Sequence, residues 1–271
     1  MPELPEVETT RRGIAPHIQG RRVARVIVRN RDLRWRVTPR LEGALAGLTI
    51  RHVDRRAKYL LLATDNGTLI LHLGMSGSLR IIAAGTAAGR HDHVDIEFEN
   101  GTVLRYTDPR RFGSLHWTTR APDRHRLLRD LGVEPLGDEL TGDYLYRASR
   151  GRKAAIKQLL MDSHIVVGIG NIYASEALYM AGINPRRAAG RINRQQYDLL
   201  AEVIQEVLTD SIAAGGTTLR DFVNGEGKPG YFRMHLNVYG KAGEPCISCR
   251  VPIRMIRQGQ RATFYCPQCQ K

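Results

Sequence analysis

Residues 59–73 read YLLLATDNGTLILHL, and residues 94–106 read VDIEFENGTVLRY. In each stretch one apolar run reaches Asn-Gly and a second leaves it, the strongest short-range signal for antiparallel strands joined by a tight turn. In the second stretch Val94, Ile96 and Phe98 alternate with Asp95, Glu97 and Glu99. A period of two buries one face and leaves the other in water. Working outward, residues 23–29 and 48–53 are further strand candidates, and several strands with short turns imply a β-sandwich. The opening residues differ. Pro5 suits a first helical turn, Glu6 and Glu8 favour its positive end, and Gly13 is expected to stop it. A short N-terminal helix should therefore lie against the sandwich.

After Leu131 the period changes. Leu199, Leu200, Val203, Ile204, Val207, Leu208 and Ile212 follow helical spacing, with Gly215-Gly216 as the stop. Asn193 and Gln196 form a capping pair at its start. Residues 153–162 and 171–181 read as two shorter helices, and glycine-rich 215–232 as a mobile loop. The fold class is α+β with two domains: an N-terminal β-sandwich with an N-terminal helix, and a C-terminal helical domain that ends in a ribbon carrying all four cysteines. The expected boundaries are 1–131, a linker over 132–149, a helical domain over 150–240 and a four-cysteine finger over 241–271.

Lys and Arg number 41 against 27 acids, a net charge of +14 in 271 residues. Such a chain attracts polyanions. A generically basic surface, as on a ribosome-associated or membrane-surface protein, is the competing reading. Distribution sharpens the choice: residues 226–271 alone carry an excess of +6, a concentrated footprint of the kind that tracks a phosphate backbone. The longest apolar runs, such as 60–63 and 81–84, are strand-sized and far short of a bilayer crossing. The acidic, proline-punctuated start is not a secretory signal, so the expected location is the cytoplasm.

All four cysteines lie at the end, as Cys246-x2-Cys249, sixteen residues, then Cys266-x2-Cys269. This is the four-thiolate spacing of a zinc ribbon. The absence of a secretion signal and of cysteine elsewhere argues against two disulfides. Four protein ligands leave no open coordination position, so one structural Zn²⁺ is expected, holding rigid a basic hairpin that includes Arg254, Arg257 and Arg261. His91-Asp92-His93 reads as a solvated or hydrogen-bonded pair rather than a metal site.

Five strings carry a family resemblance: PELPEVE at 2–8, LHLGMSG at 71–77, DPRRFG at 108–113, GIGNIYASE at 168–176 and QRATFYCPQCQ at 260–270. Together with the cysteine spacing they resemble the bacterial formamidopyrimidine-DNA glycosylases, from residue 2 to residue 270 and in that family's order. The resemblance implies that Met1 is removed and that the freed Pro2 amine attacks C1′ of a damaged nucleotide. Physical chemistry suits that choice. An α-amino group has a pKa of about 7.7–8.0 against about 10.4 for lysine, so far more is unprotonated near neutral pH. A secondary amine can form only a cationic iminium, an electron sink that acidifies the C2′ hydrogens for β- and then δ-elimination. Glu3 would donate and shuttle protons, and Lys58 would assist base departure and contact a phosphate.

The same resemblance implies a phosphate clamp of Lys58, His72, Asn171 and Arg261, the last counted with the catalytic set. Asn171 opens a helix after Gly168-Ile169-Gly170, where amides face an anion, and Arg261 supplies a forked donor. A base inside a duplex must be flipped out. Met75 and Phe112 would plug the void and Arg110 would pair with the orphaned cytosine, the glycines at 74, 77 and 113 favouring exposed turns. Thr217, Thr218 and Tyr231 would close on the flipped base, and Lys157 would approach it. The implied partner is double-stranded DNA with an oxidised base or abasic site, bound by a monomer in the bacterial cytoplasm. Two alternatives stay open: the endonuclease VIII branch, which opens with glycine where this chain has Leu4, and a zinc-ribbon DNA-binding protein without catalysis.

Overall fold

The computed structural model describes residues 2–215 and 236–271. Thr217, Thr218 and Tyr231, and nearly all of the loop expected over 215–232, lie outside the described residues. Met1–Asp130 forms the body of one compact unit; Leu131–Ala213 and the C-terminal segment form the other.

The first unit is a β-sandwich with a helix at its start. Helix α1 (Leu4–Ile18) is followed by β1 (Val23–Val28), α2 (Leu41–Leu45), β2 (His52–Arg56), β3 (Tyr59–Thr64), β4 (Gly67–His72), β5 (Ser78–Ala83), β6 (Asp92–Phe98), β7 (Thr102–Thr107) and β8 (Ser114–Thr118). Two four-stranded sheets result, in the orders β1-β6-β7-β5 and β2-β3-β4-β8, antiparallel throughout. Both Asn-Gly turns join strands, β3 to β4 and β6 to β7. Leu60, Leu62, Leu69 and Leu71 of one sheet and Ile96, Leu104 and Tyr106 of the other share one core, with Val7, Ile14 and Ile18 of α1.

Three local expectations give way. Gly13 does not stop α1, which continues through Pro16 to Ile18. An interior glycine costs about 1 kcal/mol, whereas burying Ile14 and Ile18, both 0 % exposed, returns roughly 1.5–3 kcal/mol each. Residues 48–51 are not yet strand β2: Leu48 and Ile50 accept from Val23 and Gly20, because Gly47 at φ 80 turns the chain back beside β1. The third concerns β6, whose presumed wet face is exposed at Glu99 and half-buried at Glu97 but closed to water at Asp95. Asp95 is 1 % exposed, clasped by Arg105 through Nε at 2.8 Å and Nη2 at 2.7 Å and by Arg29 at 2.7 Å. Burial works to raise its pKa, yet those hydrogen bonds and charges hold it below the usual carboxylate value. Alternation reports polarity, and a paired carboxylate can be polar and buried.

The second unit holds α3 (Gly142–Ser149), α4 (Ile156–Leu160), α5 (Asn171–Met180), α6 (Arg194–Ala213) and a hairpin of β9 (Arg254–Gln258) and β10 (Arg261–Tyr265). The Asn193–Gln196 pair caps α6 reciprocally, Gln196 N donating to Asn193 Oδ1 at 2.8 Å and Asn193 N to Gln196 Oε1 at 3.4 Å. The stretch 132–149, read as a linker, carries α3. Thr141 caps it by accepting from Tyr144 N at 3.1 Å, and its Leu145 is fully buried. Among the described residues no helix is long and apolar enough to cross a membrane.

Asp95→Ala leaves Arg105, itself 3 % exposed, as a buried charge without its main partner, which should cost about 3–5 kcal/mol. Urea denaturation measures it, and a loss below about 1 kcal/mol would show that Asp95 is not the anchor of this sheet.

Candidate active site

Pro2 and Glu3 are both buried at the start of α1. Glu3 is the N-cap of a reciprocal box: its carboxylate accepts from Glu6 N, and its own amide donates to Glu6 Oε2 at 2.8 Å. Each satisfies a helix-end amide that would otherwise lack a partner. One turn on, Glu8 fixes the helix to the sheet. Its carboxylate meets Arg11 and Arg12 at 2.8 Å and Arg55 of β2 at 3.4 Å. Burial opposes its ionisation, but the arginine bonds and charges win and hold its pKa low.

Arg55 also donates to Ala57 O at 2.8 Å, pinning the two-residue turn Ala57-Lys58 between β2 and β3. Ala57 is there at φ 54, a left-handed conformation costly for a residue with a Cβ. The turn carries Lys58 beside Tyr59, whose register partner is His72. The Tyr59 and His72 rings lie 4.8 Å apart. His72 Nδ1 accepts from Gly74 N at 2.9 Å, so its remaining ring nitrogen carries the proton as an outward donor. Burial, then the charges of Lys58 and Arg34, push its pKa down to about 4. It is a neutral donor at pH 7.

Asp108, absent from the residues singled out in the sequence, organises the next cluster. Fully buried, its Oδ1 accepts from Ser76 Oγ at 2.9 Å and Arg110 N at 3.3 Å. Its Oδ2 accepts from Tyr106 OH at 3.0 Å and Gly113 N at 2.9 Å, and its carbonyl meets His93 Nε2 at 2.7 Å. The β4–β5 and β7–β8 loops are thereby drawn onto one carboxylate. They touch backbone to backbone: a Cβ on Gly74 would sit 2.4 Å from Gly113 N. From this clamp project Met75 and Phe112, 37 % and 40 % exposed, with the Arg110 guanidinium 5.1 Å from the centre of the Phe112 ring. The structure thus brings Met75, Arg110 and Phe112 together, exposed on rigid turns.

In the second unit Asn171, Lys157 and Arg261 line one concave site of about 390 Å³ between α4, α5 and the β9–β10 hairpin. Arg261 is exposed. Asn171 does not cap α5; Gly170 does. Asn171 Nδ2 donates to Ala262 O at 3.0 Å, while Oδ1 is buried without a partner among the described residues. Lys157 is 2 % exposed and donates to Thr263 Oγ1 at 2.9 Å, tying α4 to β10. Glu176 is a further residue that sequence reasoning passed over. Fully buried, its carboxylate accepts three successive amides, from Asn237, Val238 and Tyr239, at 2.7–3.0 Å, anchoring the approach to the cysteine finger on α5. An acid inside the apolar run 172–178 was the available signal, since a buried charge must be paired.

The four cysteine sulfurs all lie within 4.8 Å of one another, with Cys246–Cys269 at 3.9 Å and Cys249–Cys266 at 3.4 Å. A tetrahedral zinc with thiolates at 2.3 Å has sulfur–sulfur edges of about 3.8 Å. The donor set fits.

The chain matches three family models in succession: the formamidopyrimidine-DNA glycosylase N-terminal domain over residues 1–115, the formamidopyrimidine-DNA glycosylase H2TH domain over 131–223, and the zinc finger found in FPG and IleRS over 243–271. It is 60 % identical to formamidopyrimidine-DNA glycosylase of Alkalilimnicola ehrlichii, covering 100 % of both chains. It is similar to the Lactococcus lactis Fpg (MutM) structure in complex with DNA containing N7-benzyl-Fapy-dG, at 32 % identity and TM-score 0.91 over 100 % of each chain. A complex of the same Fpg with abasic-site DNA matches at 32 % and 0.91 over 99 % of each. With the finger model matched on a fitting donor set, Cys246, Cys249, Cys266 and Cys269 are the ligands of one structural zinc.

Asp108→Ala strands two hydroxyls and two amides at once and should cost at least about 3 kcal/mol. The Gly113 amide should then exchange faster with solvent; unchanged protection would mean the loops hold without the carboxylate. For His72, imidazole NMR should give a titration midpoint near 4, and a midpoint at or above about 6 would contradict a neutral donor. The folded ring refuses a proton that the unfolded chain binds below about 6.5. Its contribution is therefore whole above that pH and is lost as pH falls toward 4, so His72→Gln should flatten that part of the stability profile.

Proposed function

The chain belongs to the formamidopyrimidine-DNA glycosylase family, and we propose that it excises oxidised purines, 8-oxoguanine and formamidopyrimidines, from duplex DNA and then cuts the strand through a Pro2 iminium. The observation that carries the reading is the buried Pro2-Glu3 pair at a doubly capped helix start, tied through Glu8 and Arg55 to the strained turn that bears Lys58.

In this mechanism Met1 is removed and the Pro2 nitrogen forms a bond to C1′ as the damaged base leaves. Glu3, held beside it by the Glu6 amide, gives a proton to the opening sugar ring. Lys58 assists base departure. The cationic adduct draws electrons from C2′, whose proton is lost; the 3′ and then the 5′ phosphate depart, and hydrolysis frees Pro2. Phosphates are gripped by the neutral His72 donor, by Lys58, and by Asn171 and Arg261 of the second unit. Met75 and Phe112 fill the vacated stack, with Arg110 toward the opposite cytosine. Lys157, Thr217, Thr218 and Tyr231 complete the reading on the base side. For Lys157, the bonds to Thr263 and Ala262 favour positioning the β9–β10 hairpin.

Residues 1–131 are the catalytic domain on this reading, 150–240 the helical DNA-binding domain and 241–271 the finger. The enzyme works as a monomer on cytoplasmic, nucleoid DNA, as the bacterial source of its relatives suggests. An oxidised-pyrimidine preference of the endonuclease VIII kind is disfavoured by Leu4, and a passive binder would give the buried Pro2-Glu3 pair no task.

Borohydride added during reaction with 8-oxoguanine duplex should fix the protein covalently to DNA, with the adduct on Pro2 by mass spectrometry. Retained Met1 or an N-terminal tag should abolish cutting while binding stays nearly intact. An active tagged protein, or an adduct on another residue, would refute the assignment. In a competition of lesions, cleavage of pyrimidine lesions alone would overturn the substrate class.

A further inference from the structure

Strand β8 begins beside His72, where Ser114 is its partner, and ends at Thr118 opposite Thr68, four residues or roughly 13 Å farther on. Beyond it the chain turns, Arg120 N donating to Thr118 Oγ1 at 3.1 Å, and passes through a 3-10 turn at Pro122–Arg124. This segment surrounds a second concave site of about 370 Å³, lined by Thr118, Arg120, Arg124, His125, Arg126 and Arg129. None of these residues lines the cavity of Asn171 and Arg261.

The lining holds four guanidinium groups, a hydroxyl and an imidazole, and no carboxylate. Elsewhere on the sandwich arginines are spent on acids, as in Arg22–Glu99, Arg25–Glu97 and Arg51–Asp65. Arg120, Arg124 and Arg126 have no ion-pair partner among the described residues. Arg129 meets only Asp130, at 3.1 Å with both side chains 62 % exposed, a contact of little strength in water. Two groups are held in advance. Arg126 lies over the Trp35 ring at 4.5 Å, and His125 Nδ1 accepts from Leu127 N at 3.3 Å, which leaves its other nitrogen as a donor. Behind His125, with ring centres 5.5 Å apart, His116 is 8 % exposed. Its Nε2 is buried without a hydrogen-bond partner among the described residues.

Like charges gathered in a concavity repel one another until an anion enters, and forked guanidinium donors match tetrahedral oxyanions. The geometry points to a second anion site on the sandwich that takes a phosphate or phosphodiester group. The phosphate belongs either to the DNA backbone or to a free phosphate chain. The recognising chemistry is shared, and the source is separable by experiment; the DNA arm alone rests on the function proposed above.

One of the chain's two tryptophans lies against the site, Trp35 beneath Arg126 at 4.5 Å, while Trp117 packs into the sandwich core. Tripolyphosphate titrated into the full-length zinc-loaded protein at low salt should therefore change intrinsic fluorescence saturably, with calorimetry giving the same affinity. Arg120→Gln/Arg124→Gln leaves both tryptophans and the Arg126 stack in place and should weaken binding about tenfold or more. Arg261→Gln, at the separate cavity of the second unit, should leave the tryptophan response to tripolyphosphate in place. The double variant is then taken to undamaged duplex across a salt series. A slope of log K against log salt smaller by about 1–2 assigns the site to the DNA backbone; an unchanged slope with lost tripolyphosphate binding assigns it to free phosphate. No saturable change in the wild type, wild-type affinity in the double variant, or loss confined to Arg261→Gln would each overturn the site.

Discussion

A carboxylate removed from water must have its lone pairs filled by donors, and Asp108 meets that demand by recruiting two loops. Ser76, Arg110 and Gly113 come to it from either side, with Tyr106 below. That recruitment leaves Met75 and Phe112 exposed on the two loops it joins. Their exposure is not a failure of the core to accept them. It follows from loops whose backbones are drawn so close that glycine is required at 74, so that bulky side chains have no inward direction left.

The second unit applies the same constraint with different groups. Glu176 is buried in an apolar helix and takes its donors from three consecutive amides of the segment leading to the finger. Lys157 is buried with the opposite sign and takes its acceptors from β10. The finger's C-terminus is also tied down: Gln270 Nε2 donates to Ile183 O at 2.9 Å, and its side-chain Oε1 accepts from Cys266 N at 2.8 Å. Zinc orders the sulfurs, while these polar ties fix where the hairpin bearing Arg261 stands against α4 and α5. Breaking such a tie leaves a charge stranded, which costs far more than the bond itself is worth.

The sheets were legible where local chemistry and tertiary demand agree. Asn66-Gly67 and Asn100-Gly101 made hairpins because their turn geometry is set within two residues. The cysteine spacing led to one metal site for the same reason. Asp95 was misread as solvated because its partner Arg105 comes from the neighbouring strand, and alternation carries no information about a partner across a sheet. Gly13 was misread as a stop because the gain that carries α1 past it comes from burial in the sandwich. Strand β8 offers only Leu115 and Trp117 as inward residues and gave no usable period. At the candidate site, Pro2 and His72 were located through family strings, and Lys58 through the family resemblance outside them. Asp108 and Glu176 sat inside those strings unremarked, since a buried acid's role is visible only once its donors are in place.

The neutral state of His72 has a consequence for how grip is shared. A charged side chain that meets a phosphate frees condensed counterions, and the entropy of that release makes its contribution fade in concentrated electrolyte. An imidazole that stays uncharged down to a pH of about 4 frees none. With a phosphate at each, the Arg261 contact would loosen as ionic strength rises while the His72 contact would persist. The sandwich would then keep hold of the strand under conditions in which the finger had begun to let go.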